Sequence, residues 1–428
     1  MPFDFIEAAA YYFYALSHTT TPRQDVAAQS SRCGPLPFNT MPEKISKLSF
    51  WGVRGSTPSV DRTTWRYGGN TPCLELVTPD GGRLILDCGT GLRMLGNRWA
   101  AEAEKTGENI DADVLITHYH WDHIQGIPFF APLYSPENKF RFYSFRSEFL
   151  GADTLKRVFE TQMAHPYFPV SLSAMSAQRE FSEVGGGDRF TVRDTRITAR
   201  WLNHPQGCLG FRFETPAGTI VYATDNEPGV AGYDEALIEL ADGADIFIND
   251  AQYTPEQLNS RKGWGHSSWL SGVRTARAAN VRNLVLFHHD PDSCDTAVDN
   301  ILRNARDEFE NVWIAAEGMV MTLAGKRVDV EFPVPHSDLG DNPSLAACVK
   351  GRTQSGAAFE EQTVIRGMNL HGATISLDHT PKLQSDLQLI VEKADMEGKK
   401  HVVMQGYVVR VKTSPDNNQV SVSIVFVQ

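Results

Sequence analysis

The chain has 428 residues, with 40 basic and 52 acidic side chains and a formal net charge of -12. This length predicts two or three domains, and a composition of 41% hydrophobic and 21% charged residues excludes a disordered or fibrous chain. No apolar run approaches the roughly 20 residues of a membrane-spanning helix, so we expect no membrane contact. The acidic balance argues against a general nucleic-acid binder, because such proteins need basic surface to displace counterions from phosphates.

The beginning of the chain and its cysteines indicate the compartment. Residues 1–46 are expected to form a flexible segment, because 17–42 are rich in Ser, Thr, Gln and Pro. Asp4 and Glu7 precede any basic residue, which excludes the charged start of a signal peptide. Met41 stands just before the first clear strand, so translation from Met1 or from Met41 remains open. The six cysteines form no C-x-x-C pair, which is typical of a cytoplasmic protein.

Strand signals dominate the first part of the chain, and helices then alternate with strands. Strands are predicted at 48–51, 73–77, 84–86, 113–117, 196–201, 210–214, 219–223, 246–249 and 284–287. Helices are predicted at 154–163, 234–240 and 267–279, and another begins at Asp295. This order predicts an α/β domain with mixed sheets over residues 47–330.

The last part of the chain has a different pattern. A linker rich in Pro and Asp is predicted at 331–344. Residues 345–428 contain many short strands, glycine turns and one weak helix near 386–396, which predicts a small antiparallel β-barrel.

The strongest functional signal is the run His118-Tyr119-His120-Trp121-Asp122-His123 after a buried strand. His118 and His120 can point the same way to bind one metal ion, while Asp122 and His123 can face a second. Imidazole and carboxylate ligands without thiolate suit Zn²⁺, with Mn²⁺ as an alternative. The other interpretation is a polar loop of hydrogen-bonded histidines.

This run resembles the H-x-H-x-D-H signature of the metallo-β-lactamase superfamily, and other motifs follow the same order across 47–325. They are the Asp87 turn, the lone His204, the aspartate Asp225 and the adjacent pair His288-His289. The resemblance implies a four-layer αββα sandwich and two Zn²⁺ ions. The implied ligands are His118, His120 and His204 for one ion, Asp122, His123 and His288 for the other, and Asp225 between them. His288 is preferred over His289 because it directly follows a strand. Asp87 and Thr117 are expected to orient the ligands.

The segment Gly265-His266-Ser267-Ser268 resembles the ribonuclease Z and phosphodiesterase branch of this superfamily. There the histidine is catalytic near the scissile phosphate, and the alternative for His266 is a helix cap. The resemblance implies that a metal-bridging hydroxide attacks phosphorus, with His266 and Asp122 as catalytic residues. We therefore expect a zinc-dependent hydrolase, a phosphodiesterase for a small phosphodiester such as a cyclic nucleotide. The alternatives are a thioester or lactone hydrolase and a signalling module with a vestigial hydrolase domain.

Candidate substrate contacts are Arg54, His165 and Tyr167. Arg54 is expected at the active-site entrance, with a structural role in a tight turn as the alternative. His165 and Tyr167 belong to 163–169, which could form an aromatic lid. Most of the negative charge falls in 41–340, and we find no basic, glycine-rich arm of the ribonuclease Z kind. We therefore expect a small anionic ester as partner and no large nucleic acid, and a homodimer remains open.

The carboxy-terminal segments Gly351-Arg352-Thr353 and His371-Gly372-Ala373 resemble a PilZ-like barrel. Many such domains bind cyclic di-GMP through an arginine pair. Arg352 has no such partner, because Cys348 stands four residues before it. We therefore expect a structural or protein-contact role for the barrel rather than cyclic di-GMP binding.

Overall fold

A computed structural model describes residues 44–229, 234–332, 345–368, 372–395, 398–413 and 419–427. Residues 1–43 of the predicted flexible segment 1–46, including Met41, lie outside the described residues, as do residues 333–344 of the predicted linker 331–344. The strands reach into both predicted segments, because the first begins at Ser46 and another ends at Glu331. Among the described residues, no helix is long and apolar enough to cross a membrane. The cysteines Cys73, Cys88 and Cys208 are free and buried.

Two sheets and their helices make up the first domain. The strands are β1 (Ser46–Gly52), β2 (Cys73–Val77), β3 (Arg83–Leu86), β4 (Asp111–Leu115), β5 (Lys139–Ser144), β6 (Gln178–Glu183), β7 (Arg189–Val192), β8 (Thr195–Leu202), β9 (Cys208–Thr215), β10 (Gly218–Ala223), β11 (Ile246–Asp250), β12 (Leu284–Phe287), β13 (Val312–Ile314), β14 (Val320–Ala324) and β15 (Arg327–Glu331). The helices are α1 (Gly91–Thr106), α2 (Trp121–Ile124), α3 (Thr154–Gln162), α4 (Glu235–Ala241), α5 (Pro255–Ser260), α6 (Trp269–Ala278) and α7 (Asp295–Glu308). Short 3₁₀ helices span Arg62–Thr64, Ile127–Phe129, Ala131–Tyr134 and Leu172–Ala174.

The described strands of this domain form an eight-stranded and a seven-stranded sheet. The first has the order β15-β14-β1-β2-β3-β4-β5-β6, and the second has the order β13-β12-β11-β10-β9-β8-β7. Strands β3 to β6 run parallel to one another, as do β10 to β13, whereas the other neighbouring pairs of both sheets are antiparallel. Both sheets are therefore mixed, as the order of elements predicted.

Alternate side chains of the first sheet enter two different cores, because successive residues of a strand point to opposite faces. Leu84 and Leu86 of β3 pack with the second sheet, while Ile85 packs with Leu95 and Trp99 of α1. Helices α4, α6 and α7 cover the other face of the second sheet. This arrangement of helix, sheet, sheet and helix confirms the predicted four-layer sandwich.

The carboxy-terminal strands close into the predicted antiparallel barrel. They are β16 (Leu345–Arg352), β17 (Ala358–Met368), β18 (Gly372–Leu377), β19 (Asp386–Asp395), β20 (Gly398–Thr413) and β21 (Val420–Val427), in the order β16-β17-β18-β21-β20-β19. The prediction of a weak helix near 386–396 is wrong, because this segment is strand β19. Leu387, Leu389 and Val391 alternate into the barrel core, and β19 pairs with β20 along its length.

The barrel contacts the first domain through α7 and the segment after β1. Arg306 of α7 donates hydrogen bonds to the carbonyl oxygens of Gln384 at 2.8 Å and Leu383 at 3.2 Å. The Tyr67 hydroxyl lies 3.4 Å from that of Tyr407. Because Tyr67 also binds the Asp299 carboxylate at 2.7 Å, the contact is continuous with α7.

Candidate metal centre

The carboxyl ends of neighbouring parallel strands bring the candidate ligands together. Asp225, Asp250 and His288 stand at or just after the ends of β10, β11 and β12, which are adjacent in the second sheet. The histidine run follows β4 of the first sheet. Such strand ends are the usual place for a ligand site in α/β sheets.

Three of the site residues have backbone conformations that side chains rarely adopt. Asp87, Asp225 and His288 have φ values of 59, 53 and 61 degrees. Each such non-glycine residue costs about 1–3 kcal/mol, and this strain persists where the surroundings hold it.

His118, His120 and His204 form the first cluster. His120 Nδ1 lies 3.2 Å from His204 Nε2, and the ring of His118 packs edge-on against both other rings. His118 Nε2 is buried without a hydrogen-bond partner among the described residues. A buried nitrogen without a partner is costly, and a metal ion at this point would satisfy it.

Asp122, His123, Asp225 and His288 form the second cluster. Asp122 Oδ2 lies 3.2 Å from both His123 Nε2 and His288 Nε2. Asp225 Oδ2 lies 3.3 Å from the same two nitrogens, while its Oδ1 lies 3.7 Å from His118 Nε2. Asp225 therefore stands between the two clusters, as the resemblance implied.

The other ring nitrogen of each clustered histidine is held by an oxygen. His118 donates to Thr117 Oγ1 (3.1 Å), His120 to Gln206 Oε1 (3.1 Å), His123 to Asp87 Oδ2 (2.9 Å), His204 to the Gly265 carbonyl (2.8 Å) and His288 to Gln252 Oε1 (2.9 Å). These bonds fix the tautomer in which the inward nitrogen carries a lone pair. Metal-ligating histidines are oriented in the same way.

The charge of the site also fits a cation. Burial lowers the pKa values of His118 and His204, whereas the carboxylates of Asp122, Asp225 and Asp87 outweigh burial and raise the pKa of His123. Burial alone would raise the pKa values of Asp122 and Asp225, but the neighbouring histidines outweigh it and lower them, so both are ionised. Neutral imidazoles and ionised carboxylates are the ligating forms. The carboxylates that favour a proton on His123 would equally attract a metal cation, so the residues present fit divalent metal binding.

Asp87 orients ligands from outside the clusters. Its Oδ1 accepts a hydrogen bond from the Thr117 N–H at 2.7 Å, and its Oδ2 accepts from His123 and from the Tyr222 hydroxyl at 2.8 Å. Asp87 and Tyr222 are completely buried. This geometry matches the predicted orienting role of Asp87 and adds Tyr222 to it.

His266 is paired with a carboxylate that the sequence analysis missed. His266 Nδ1 donates to Asp250 Oδ2 at 2.8 Å, and the His266 ring stacks on that of His288 with centroids 5.0 Å apart. Burial would lower the pKa of His266, but the Asp250 carboxylate outweighs it and raises the pKa to about 9. The helix cap is Ser268, whose side chain accepts from the Ser271 N–H. His266 is therefore a buried cation beside the clusters and not a cap.

The structure places His288, and not His289, in the second cluster. His289 is buried and donates from Nε2 to the Ala315 carbonyl at 2.8 Å, while its ring packs edge-on against Tyr67. Burial lowers the pKa of His289 to about 3. Of the two adjacent histidines, His288 thus belongs to the candidate metal site, and His289 packs beside Tyr67.

The prediction that Arg54 faces the entrance is wrong. Arg54 is completely buried, and it donates to the carbonyl oxygens of Gly68 at 2.8 Å, Asp290 at 3.0 Å and Ser293 at 2.7 Å. The tight turn after β1 carries the side chain inward, where it ties together two loops. The geometry favours the alternative, a structural arginine.

The two other candidate substrate residues lie at the surface. Tyr167 is 81% exposed and His165 is also exposed. Among the described contacts, neither side chain reaches a clustered ligand, and Phe168 packs against Phe129 instead. A contact of His165 or Tyr167 with substrate stays a prediction.

The missed residues had a weak sequence signal. Asp250 and Gln252 follow a predicted buried strand, and a polar residue at such a strand end is a candidate ligand or orienter. Nothing local shows that they reach His266 and His288, because these residues lie 16 and 36 positions away. Their part in the site required knowledge of strand order.

Comparison with known proteins supplies independent findings. Residues 82–289 match a family model described as a beta-lactamase superfamily domain. Ribonuclease Z of Haloarcula marismortui is 24% identical over 329 residues, covering 67% of this chain and 97% of that protein. Ribonuclease Z of Archaeoglobus fulgidus is 27% identical over 319 residues, covering 65% of this chain and 98% of that protein. A metallo-beta-lactamase fold protein of Bacillus subtilis is 20% identical with a TM-score of 0.49, covering 65% of this chain and all of that one.

The expectation that no large nucleic acid is a partner is wrong. The two relatives described above align over nearly their whole length and are named ribonuclease Z. Net charge sums over the whole surface, whereas an RNA phosphate meets only the groups at the site. A total of -12 therefore does not decide whether the site accepts a polyanion.

Proposed function

We propose that the chain, in which residues 82–289 match a beta-lactamase superfamily domain, is a metal-dependent hydrolase and, more specifically, a binuclear zinc phosphodiesterase. Its substrates would be nucleotide phosphodiesters, either in RNA or in a small molecule such as a cyclic nucleotide. The observation that carries this proposal is the His266–Asp250 pair, 2.8 Å apart, beside the Asp225 carboxylate.

The residues of the site have separate tasks in this reaction. Bound zinc ions would act as Lewis acids toward the phosphate and lower the pKa of a water molecule. His266, cationic at neutral pH, would give a proton to the departing alkoxide from the side opposite Asp250. Asp122 would accept a proton from the attacking water, while the Ser56 N–H holds its Oδ2 at 2.8 Å.

The same pair distinguishes a phosphodiester from the thioester alternative. An alkoxide leaving group is a strong base and needs a proton donor, whereas a thiolate is weakly basic and departs without one. A buried imidazolium held by its own carboxylate is therefore of more use for a substrate that releases an alkoxide, such as a phosphodiester or a lactone, than for a thioester.

The test compares His288→Ala with His289→Gln in the full chain. We expect about two zinc ions per wild-type chain by mass spectrometry, with turnover of bis(p-nitrophenyl) phosphate and of an RNA or cyclic nucleotide. His288→Ala should lose metal and at least 100-fold in turnover, since even changes to a ligand's hydrogen-bond partner cost about 10–100-fold. His289→Gln should keep both the metal content and the turnover of the wild type.

Two results would contradict the proposal. Stoichiometric metal without turnover of any phosphodiester would exclude phosphodiesterase activity. Restoration of a chelated protein by Mn²⁺ but not by Zn²⁺ would exclude zinc while leaving the reaction class intact.

A further inference from the structure

The loop that presents His266 also exposes a large aromatic ring. Trp264 lies two residues before His266, and its side chain is 62% exposed. Leaving such a ring in water forgoes the favourable free energy of its burial. An exposed tryptophan this close to a reactive site is therefore a candidate for contact with the substrate.

The backbone around Trp264 is held firmly. The carboxylate of Glu227 accepts hydrogen bonds from the N–H of Gly263 at 2.8 Å and from that of Gly265 at 2.9 Å. Both glycines have positive φ, 86 and 84 degrees, so the chain turns sharply on each side of Trp264. A Cβ at Gly265 would collide with the ring of His204, so only glycine fits there.

A chain of ring contacts joins Trp264 to His266. The Arg261 guanidinium lies 5.9 Å from the centre of the Trp264 ring and 4.8 Å from that of Tyr253. Tyr253 in turn packs edge-on against His266, with centroids 5.9 Å apart. Arg261 also lies 3.4 Å from the Asp290 carboxylate, which fixes its position. An aromatic face and a cation therefore stand on the His266 side of the metal centre.

We propose that Trp264 and Arg261 form a nucleobase subsite, in which Trp264 stacks on the base next to the scissile phosphate. Arg261 supplies positive charge for the phosphate of the same nucleotide. Any base offers a π-face, so this subsite is selective for nucleotides over base-free diesters without selecting a sequence. The inference rests on the proposed phosphodiesterase function.

The test uses two esters with the same leaving group, thymidine 5′-(p-nitrophenyl) phosphate and methyl p-nitrophenyl phosphate. Trp264→Ala should lower kcat/KM for the thymidine ester about 5- to 150-fold, the range that stacking one base provides. The methyl ester should change by less than about 2-fold, because it has no base to stack. Trp264→Phe should restore most of the thymidine activity, and the control Trp65→Ala should change neither ester.

Direct binding gives a readout that does not depend on turnover. Thymidine 5′-monophosphate should quench the tryptophan fluorescence of the wild type, and this titration should disappear in Trp264→Ala. If the wild type cleaves neither ester but thymidine 5′-monophosphate still quenches its fluorescence through Trp264, the proposed function is wrong and the nucleobase subsite is supported.

Three results would overturn the subsite. The first is an equal loss of kcat/KM on both esters in Trp264→Ala, and the second is no loss on either ester in that variant. The third is a loss of kcat/KM specific to the thymidine ester in Trp121→Ala but not in Trp264→Ala. Trp121 is 65% exposed and stands between the ligands His120 and Asp122, so the last result would place the base elsewhere.

Discussion

The imidazole of His266 depends on one carboxylate for its charge. Asp250 is completely buried, accepts from His266 Nδ1 and also receives the backbone N–H of Ser267 at 3.1 Å and of Gln252 at 2.9 Å. These N–H groups hold the carboxylate in place while it raises the pKa of His266 to about 9. A proton donor for neutral pH is thus built from the end of β11 and the loop before α6.

Asp250→Asn tests this pairing. The amide cannot balance a cation, so the pKa of His266 should fall and the alkaline limb of the kcat profile should move to lower pH. We expect turnover at neutral pH to drop about 10- to 100-fold, with metal content unchanged. Stopped assays from pH 5 to 10 would measure the shift of the alkaline limb and the drop in turnover.

The controls for Asp250→Asn are a double variant and the removal of another carboxylate, just before β11. The double variant His266→Ala/Asp250→Asn should have the same turnover as His266→Ala alone, because the two residues act as a unit. Asp245→Asn removes a buried carboxylate that pairs with Arg282 before β11 and should leave the profile in place. An unshifted profile in Asp250→Asn would contradict the pairing.

Strand β19 shows how an element depends on its neighbours. The segment has helix-forming residues such as Gln, Leu, Glu and Lys, but Leu387, Leu389 and Val391 recur at every second position. Period two fits a strand, and the ladder with β20 satisfies its backbone. Closure of the barrel decided the conformation, because an edge at this place would leave β16 and β20 unpaired.

Leu389→Ala and Ile390→Ala test the alternation within β19. Leu389 is completely buried and Ile390 is only partly buried. Leu389→Ala should lower the free energy of unfolding by about 2–5 kcal/mol, measured by urea titration followed by circular dichroism. Ile390→Ala should cost less than half as much. Equal costs would contradict the strand register.

At the scale of the whole molecule, polar side chains of α7 join the first domain to the barrel. Arg306 donates to three oxygens of Leu383 and Gln384 and carries no carboxylate partner among the described residues. Burial lowers the pKa of Arg306 accordingly. The contact is thus held by neutral acceptors, with Tyr407 packed on the Arg66 guanidinium at 4.8 Å.

Arg306→Ala should weaken this contact specifically. Two partly buried carbonyl oxygens lose their donor, which costs up to about 1–3 kcal/mol each, so the melting transition of the barrel should shift down in scanning calorimetry. Arg303→Ala is the matched control, since Arg303 is exposed on the same helix and binds Asn300. The same shift in both variants would show that helix α7, and not the contact, was weakened.

The sequence by itself determined the fold class, the barrel and the identity of nearly every candidate ligand. Those residues stand in short motifs whose neighbours along the chain are also neighbours in space, as in His118 to His123. Only the tertiary structure decided between His288 and His289, turned Arg54 inward and joined Asp250 to His266. These outcomes depend on which strand ends lie side by side and on left-handed turns at Asp225 and His288. Such relations arise between residues distant in sequence, so no local pattern contains them.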